Sequence, residues 1–143
     1  MRRILALALV AVVATAHAAH AGGSGSTTTR VRLAEVHASD ARHEPLLRAA
    51  TLDALGKLDL SRVPPRNEAV LSVALVKLDA ETRGPTRALT CVVSASLRGR
   101  RSGNLVAILE GRARAEGAGA MDPDGVIAVA AQGAVARVPE ALR

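Results

Sequence analysis

The most constraining feature of this chain is an absence: none of its 143 residues is Phe, Tyr or Trp, although 49% are hydrophobic. Any packed interior must therefore be built from Val, Leu, Ile and Ala. Aromatic side chains also form the stacking platforms of single-stranded nucleic-acid binders and the cages that hold quaternary ammonium ligands. The sequence argues against both kinds of site, so nucleic acid is not an expected partner.

The N-terminus has the layout of a secretory signal peptide, with Arg2 and Arg3 followed by an unbroken apolar run at residues 4–14. That run is too short to span a bilayer, and a Gly/Ser-rich stretch follows it. Small-x-small triplets place candidate cleavage sites after Ala16, Ala18 and Ala21, the last two fitting best. We therefore predict a periplasmic or secreted protein. No cysteine stands just after a candidate cleavage site, which argues against a lipid anchor, and no other segment is apolar enough to make the mature chain an integral membrane protein.

The predicted organisation is a signal peptide at residues 1–21, a flexible leader at 22–29 and one small α+β domain at 30–143. The chain has 19 Lys+Arg and 13 Asp+Glu. Loss of Arg2 and Arg3 leaves 17 Lys+Arg against 13 Asp+Glu. The mature domain is therefore moderately basic, and nearly all of its cationic side chains are arginine. High Ala, Arg and Gly content is typical of a GC-rich bacterial genome. The only cysteine, Cys91, cannot form an intramolecular disulfide, so packing must stabilise the domain.

Hydrophobic periodicity predicts the element order β-α-β-β-β-α. Alternating residues indicate strands at 30–37, 69–79, 89–97 and 104–113, and apolar stripes at helical spacing follow Pro45 and Asp122. The second strand is apolar on both faces, which favours a central position, and strict alternation would place Val76 and Leu78 opposite Leu75. The expected fold is a four-stranded mixed sheet with both helices packed on one face.

The apolar strand at 69–79, the hairpin after it and its Arg101-Ser102-Gly103 turn resemble a group of small bacterial envelope domains. These are domains of the curli-secretion-channel, penicillin-binding-protein-activator and Tol-Pal N-terminal kind, and the resemblance covers residues 30–138. It implies an accessory or assembly module and not an enzyme. This chain departs from them in lacking a lipobox cysteine and the aromatics that often follow the turn.

Two sets of residues could carry chemistry, and each has a simpler explanation. Glu35, His37, Asp40 and His43 are the densest group of potential metal ligands, but their spacing matches no known zinc or copper site and is equally typical of a polar loop. Cys91 alternates with buried positions, where a free cysteine behaves as a small hydrophobic residue rather than a nucleophile. No catalytic motif occurs, so we predict no catalytic residues, metal or cofactor.

Arg98, Arg100 and Arg101 crowd the predicted hairpin tip, with Arg112 and Arg114 on the returning strand. Such a ridge would suit anionic lipid headgroups, anionic polymers or an acidic protein surface. Equally, it could be a solvated turn whose charges protect the sheet edge.

Three hypotheses follow from these residues. The first is a non-enzymatic envelope accessory domain that binds an envelope protein or itself. The second is an anionic polymer or membrane-surface binder acting through Arg98, Arg100 and Arg101. The third is a metal-dependent activity at His37 and His43.

Overall fold

A computed structural model describes residues 30–143 of the chain. The predicted signal peptide and leader, residues 1–29, lie outside the described residues. The elements are β1 (Val31–Ala38), α1 (Glu44–Gly56), β2 (Ala69–Arg83), β3 (Thr86–Gly99), β4 (Leu105–Gly117), α2 (Pro123–Val135) and the short α3 (Val138–Ala141). Among the described residues, no helix is both long and apolar enough to cross a lipid bilayer.

The four strands form one mixed sheet in the order β1-β2-β3-β4. β1 runs parallel to β2, and the β2–β3 and β3–β4 pairs are antiparallel. α1 packs on β1 and on α2, and α2 packs across β3 and β4, so both long helices cover the same face of the sheet. This confirms the predicted α+β fold and the central position of β2. The additional short helix α3 follows α2, and its Val138 is buried.

The helix signals in the sequence act as expected. The Asp122 side chain accepts a hydrogen bond of 3.0 Å from the backbone N–H of Asp124, and Pro123 occupies the first turn of α2. In α1 the buried Thr51 hydroxyl donates to the carbonyl of Leu47 at 2.7 Å, which satisfies it within the helix. α2 therefore begins with a side-chain cap, whereas α1 begins without one and has Pro45 in its first turn.

The core between the helices and the sheet is wholly aliphatic apart from Thr51 and Cys91. On the helix side it includes three fully buried alanines of α2, Ala130, Ala131 and Ala134. These small side chains bring α2 very close to β4 at Gly111. A Cβ atom at Gly111 would lie 1.8 Å from the carbonyl oxygen of Ala130 and 2.5 Å from the amide nitrogen of Ala134.

Two β-bulges shift side chains from the faces that strict alternation assigns to them. The β2–β3 register skips Val76, so Leu78 pairs with Cys91 and joins the helix-covered face. Prediction of Leu78 on the opposite face was therefore wrong. Between Leu33 and Val36 the β1–β2 register also shifts, and Val36 packs against the core rather than pointing away with Arg32. An extra residue in one strand reverses the alternation of everything that follows it.

The strands are also longer than the apolar patterns indicate. β2 and β3 continue as an exposed hairpin to the Gly84-Pro85 turn, and β4 extends through the Arg112–Gly117 stretch predicted in part as loop. Backbone pairing, rather than burial, maintains these outer segments.

We expect Gly111→Ala to lower the free energy of unfolding by about 3 kcal/mol or more, since the new methyl group collides with the backbone of α2. The matched control is Gly117→Ala in the same strand, where a Cβ atom meets nothing within 4 Å. The control should leave stability unchanged or raise it by up to about 1 kcal/mol. Denaturant unfolding followed by far-ultraviolet circular dichroism measures both. Equal stability of the two variants would contradict the close contact at Gly111.

Candidate functional site

The turn between β3 and β4 is rigid and locally determined. The Gly99 amide donates to the carbonyl of Asn104 at 2.9 Å, and the Gly103 amide donates to the carbonyl of Gly99 at 2.8 Å. Gly103 has a φ of 68°, a conformation that side chains other than glycine rarely adopt. The Ser102 hydroxyl accepts from the Asn104 amide at 3.2 Å. The Arg-Ser-Gly sequence therefore builds a fixed platform for the flanking arginines.

The three predicted arginines lie together at this turn but have different partners. Arg100 forms an ion pair of 3.2 Å with Glu68, and its amide donates to the carbonyl of Glu68 at 2.9 Å. Arg98 donates to the carbonyl of Gly103 at 3.3 Å. Arg101 is exposed. The tip is thus tied to the segment that precedes β2, and it is not a free loop.

Arg112 and Arg114, which the sequence grouped with the tip, do not belong to it. They lie farther along β4, and each forms an ion pair with a carboxylate two residues away, Arg112 with Glu110 and Arg114 with Glu116. The basic ridge predicted along the returning strand is therefore neutralised on the strand itself.

Sequence reasoning missed two arginines that join the tip from distant segments. A groove of about 340 Å³ beside the turn is lined by Arg66, Arg100, Arg101 and Arg143, with Glu68 as its only carboxylate side chain. The Asn67 side chain donates to the carbonyl of Leu142 at 2.8 Å and holds the C-terminal segment against this groove. A separation of 75 residues between these partners leaves no local signal in the sequence.

Positive charge is concentrated at this end of the domain. Residues 57–68, 98–104 and 137–143 meet here, since two neighbouring grooves share Arg143 among their lining residues. These segments carry eight Lys and Arg side chains against three carboxylate side chains, an excess of five. Two residues outside the segments also lie at this end, Asp53 paired with Lys57 and Arg30 bound to the carbonyls of Leu60 and Val63, and their charges cancel. The rest of the described domain carries nine Lys and Arg side chains against ten carboxylate side chains. All of the domain's net positive charge therefore lies at one end, which we call the basic end.

Exposed aliphatic side chains in the first residues of β4 border the basic end. Leu105 pairs with Arg98 across the β3–β4 ladder, and Val106 lines the same groove as Arg100 and Arg101. Leu105, Val106 and Ile108 are 49%, 46% and 66% exposed. The region therefore combines guanidinium groups with accessible apolar surface.

The candidate metal ligands remain apart. His37 Nδ1 lies 3.8 Å from Glu44 Oε1, and Asp40 is held by Arg42 at 2.6 Å. Hydrogen bonds from the Arg42 side chain and backbone lower the pKa of Asp40 to about 2. Within residues 30–143, no group of three or more His, Cys, Asp and Glu side chains converges as metal ligands would.

Cys91 lies in the middle of β3 and is fully buried beneath the helices. Burial raises the pKa of its thiol to about 11. A nucleophilic or redox-active cysteine needs an accessible, electropositive setting that stabilises the thiolate. This environment does the opposite, because it stabilises the neutral thiol.

Comparison with known proteins yields neither a matching protein-family model nor a matching curated protein. Solved structures do match. A lipoprotein of Caulobacter crescentus is 19% identical, with a TM-score of 0.46, over 82% of this chain and 90% of its own. A lipoprotein of Neisseria meningitidis is 15% identical, with a TM-score of 0.40. The match covers 68% of this chain and 88% of the lipoprotein. PelC of Paraburkholderia phytofirmans, a dodecamer, is 15% identical, with a TM-score of 0.48. The match covers 79% of this chain and 87% of PelC.

These neighbours are bacterial lipoproteins and PelC, and they are not of the curli-secretion-channel, penicillin-binding-protein-activator or Tol-Pal kind. They agree with the sequence resemblance only in its broader part, which is that of a small bacterial envelope domain. At these identities and TM-scores the similarity concerns the general fold, and it assigns no ligand or partner to this chain.

We expect Cys91 in the native protein to resist a neutral-pH thiol reagent such as dithionitrobenzoate, and to react fully once the chain is unfolded in denaturant. The physical reason is the combined effect of burial and a thiol pKa of about 11. Absorbance of the released thiolate measures the reaction. Rapid native labelling with one equivalent would show that the helix layer does not protect the cysteine.

Proposed function

We propose that the mature domain is a non-enzymatic accessory module of the bacterial envelope that is exported by residues 1–21 and binds anionic membrane surfaces through its basic end. The observation that carries this proposal is the location of all the net positive charge beside exposed aliphatic residues. The sequence contains no catalytic motif, and within residues 30–143 no group of three or more His, Cys, Asp and Glu side chains is placed to hold a metal ion.

Electrostatic attraction supplies the first part of the binding. An excess of five positive charges at one end orients the domain toward a negatively charged surface. Each Arg near an anionic bilayer contributes about 1 kcal/mol. Guanidinium groups suit phosphate headgroups because they donate two parallel hydrogen bonds to one phosphate. Arg66, Arg101 and Arg143 are exposed around the groove and available for such contacts.

The aliphatic border favours a membrane over a soluble anionic polymer. A polymer in water offers no apolar region in which Leu105, Val106 and Ile108 could be buried, whereas the boundary between headgroups and acyl chains does. These side chains lie in the first residues of β4 next to the arginines, so both kinds of group can meet one surface. Peripheral binding of this type requires charge and apolar contact together.

Co-sedimentation of the mature chain, residues 22–143, with vesicles tests the proposal. We expect binding to vesicles of phosphatidylglycerol and phosphatidylcholine but not to phosphatidylcholine alone, with affinity falling steeply as salt is raised to physiological strength. Arg66→Gln with Arg101→Gln should weaken binding by about thirtyfold, which corresponds to about 2 kcal/mol at about 1 kcal/mol per arginine. Arg83→Gln with Arg87→Gln, the same charge change in the distant β2–β3 hairpin, should leave it nearly unchanged.

A second pair of measurements separates membrane from polymer. Leu105→Ser with Val106→Ser should weaken vesicle binding while leaving all the arginines in place. An anionic polymer is the ligand if two results are found together. The wild-type chain then binds soluble dextran sulfate as tightly as it binds anionic vesicles, and the Leu105→Ser, Val106→Ser variant binds dextran sulfate and vesicles as tightly as the wild type does. Failure of the wild-type chain to bind anionic vesicles even at low salt would refute the proposed function.

A further inference from the structure

β4 is an edge strand whose outer side has no neighbour among the described residues. It pairs with β3 on one side only and spans 13 residues, Leu105–Gly117. Apart from the shift at Val106 its register is regular, and the strand contains no proline. The outer side of such a strand presents a row of unpaired N–H and C=O groups that can hydrogen-bond another strand.

The flank of α2 beside this edge is uncharged. Because Gly111 has no side chain, α2 lies directly over β4, and a Cβ atom at Gly133 would be 3.6 Å from the Cα of Gly111. No charged residue occurs from Gly125 to Ala136, and Val129 is 56% exposed. A helix facing water normally carries charged residues on its outer side, whereas one that is apolar all round is buried. The composition of α2 therefore fits a helix with a second covered side.

The charges on β4 are complementary to those of a second copy of the same strand. Gly111 is the midpoint of Leu105–Gly117, so an antiparallel two-fold pair centred on Gly111 overlaps all 13 residues. In this register Glu110 lies directly opposite Arg112 of the second copy, and the symmetry repeats the pair. Ile108 lies opposite Arg114 of the second copy, whose aliphatic stem can cover it.

The neighbouring registers each set like charges against one another. Directly opposed residues in an antiparallel pair must lie on the same face, so the nearest alternatives are centred on Glu110 or on Arg112. The first opposes Glu110 to Glu110 of the second copy and pairs no opposite charges. The second keeps Glu110 opposite Arg114 of the second copy but opposes Arg112 to Arg112 of the second copy. Like charges directly opposite one another are destabilising. Of the three registers, the one with full overlap is thus the one that pairs opposite charges without opposing like charges.

From these observations we infer that β4 is a homodimer interface: two copies of this chain pair their β4 strands antiparallel about Gly111 and place their α2 helices side by side. The product is a continuous eight-stranded sheet in which no β4 edge remains open. The two-fold axis runs through the sheet, so the basic ends of the two copies point in opposite directions. β4 also carries Leu105, Val106 and Ile108 of the aliphatic border, but the arginines of the basic end lie outside this interface, and the inference does not depend on the proposed function.

Reversal of the two complementary charges tests the interface in solution, in the absence of vesicles. Wild-type mature chain should have twice the monomer mass by light scattering after size-exclusion chromatography. Glu110→Arg opposes like charges across the interface, as does Arg112→Glu, so each variant alone should have the mass of a monomer. An equimolar mixture of the two should return to twice that mass. In the mixed pair, positions 110 and 112 are both positive on the Glu110→Arg chain. The same two positions are both negative on the Arg112→Glu chain, so opposite charges face each other again. The double variant should also dimerise.

Controls separate loss of pairing from loss of folding. Far-ultraviolet circular dichroism and thermal unfolding should show that both single variants remain folded, since the affected side chains are exposed. Val129→Lys should weaken the dimer through the α2 flank, while Leu52→Lys, at a similarly exposed position of α1, should not. A wild-type chain that stays monomeric at its highest soluble concentration would overturn the inference. So would single variants that remain dimers, or a mixture that fails to restore pairing.

Discussion

The contact of α2 with β4 at Gly111 is the constraint on which the rest of the structure depends. Backbone atoms of Ala130 and Ala134 occupy the space where a side chain would stand. Without aromatic residues to fill a wide interlayer gap, the helices and sheet must approach closely to exclude water. Alanine on the helix and glycine on the strand make that approach possible. The position of α2 then determines which sheet face is covered and which edge remains open.

A two-layer domain of this kind has one uncovered sheet face, and its surface is chemically uneven. Ion pairs neutralise most charges on that face, as Lys77 with Asp79 and Arg112 with Glu110 illustrate. At the basic end the arginines outnumber their carboxylate partners, and Glu68 engages only Arg100. The same fold thus separates a region of paired charges from a region of excess charge. Regions of excess charge are typical of surfaces that attract oppositely charged partners.

Much of the fold could be predicted from local patterns, and the parts that could not share a physical cause. Alternation and helical spacing, together with the Asp122 cap, identified the elements and the central strand. The alternation of apolar residues does not reveal the bulge at Val76. One additional residue in the strand changes which face of the sheet every later side chain occupies. The hairpin-tip arginines were correctly grouped by sequence proximity. Arg66 and Arg143 join them only through tertiary contacts such as that of Asn67 with Leu142, which no local motif encodes.

The burial of Cys91 has a consequence for how this chain is made. In the oxidising compartment that the proposed function assigns to this chain, Cys91 has no internal partner, and the finished fold is what keeps its sulfur away from other chains. While a nascent molecule remains open, the thiol is available for intermolecular disulfide formation. Closure of α2 over β3 therefore competes in time with covalent dimer formation. The yield of correctly made protein depends on the rate of folding as well as on final stability.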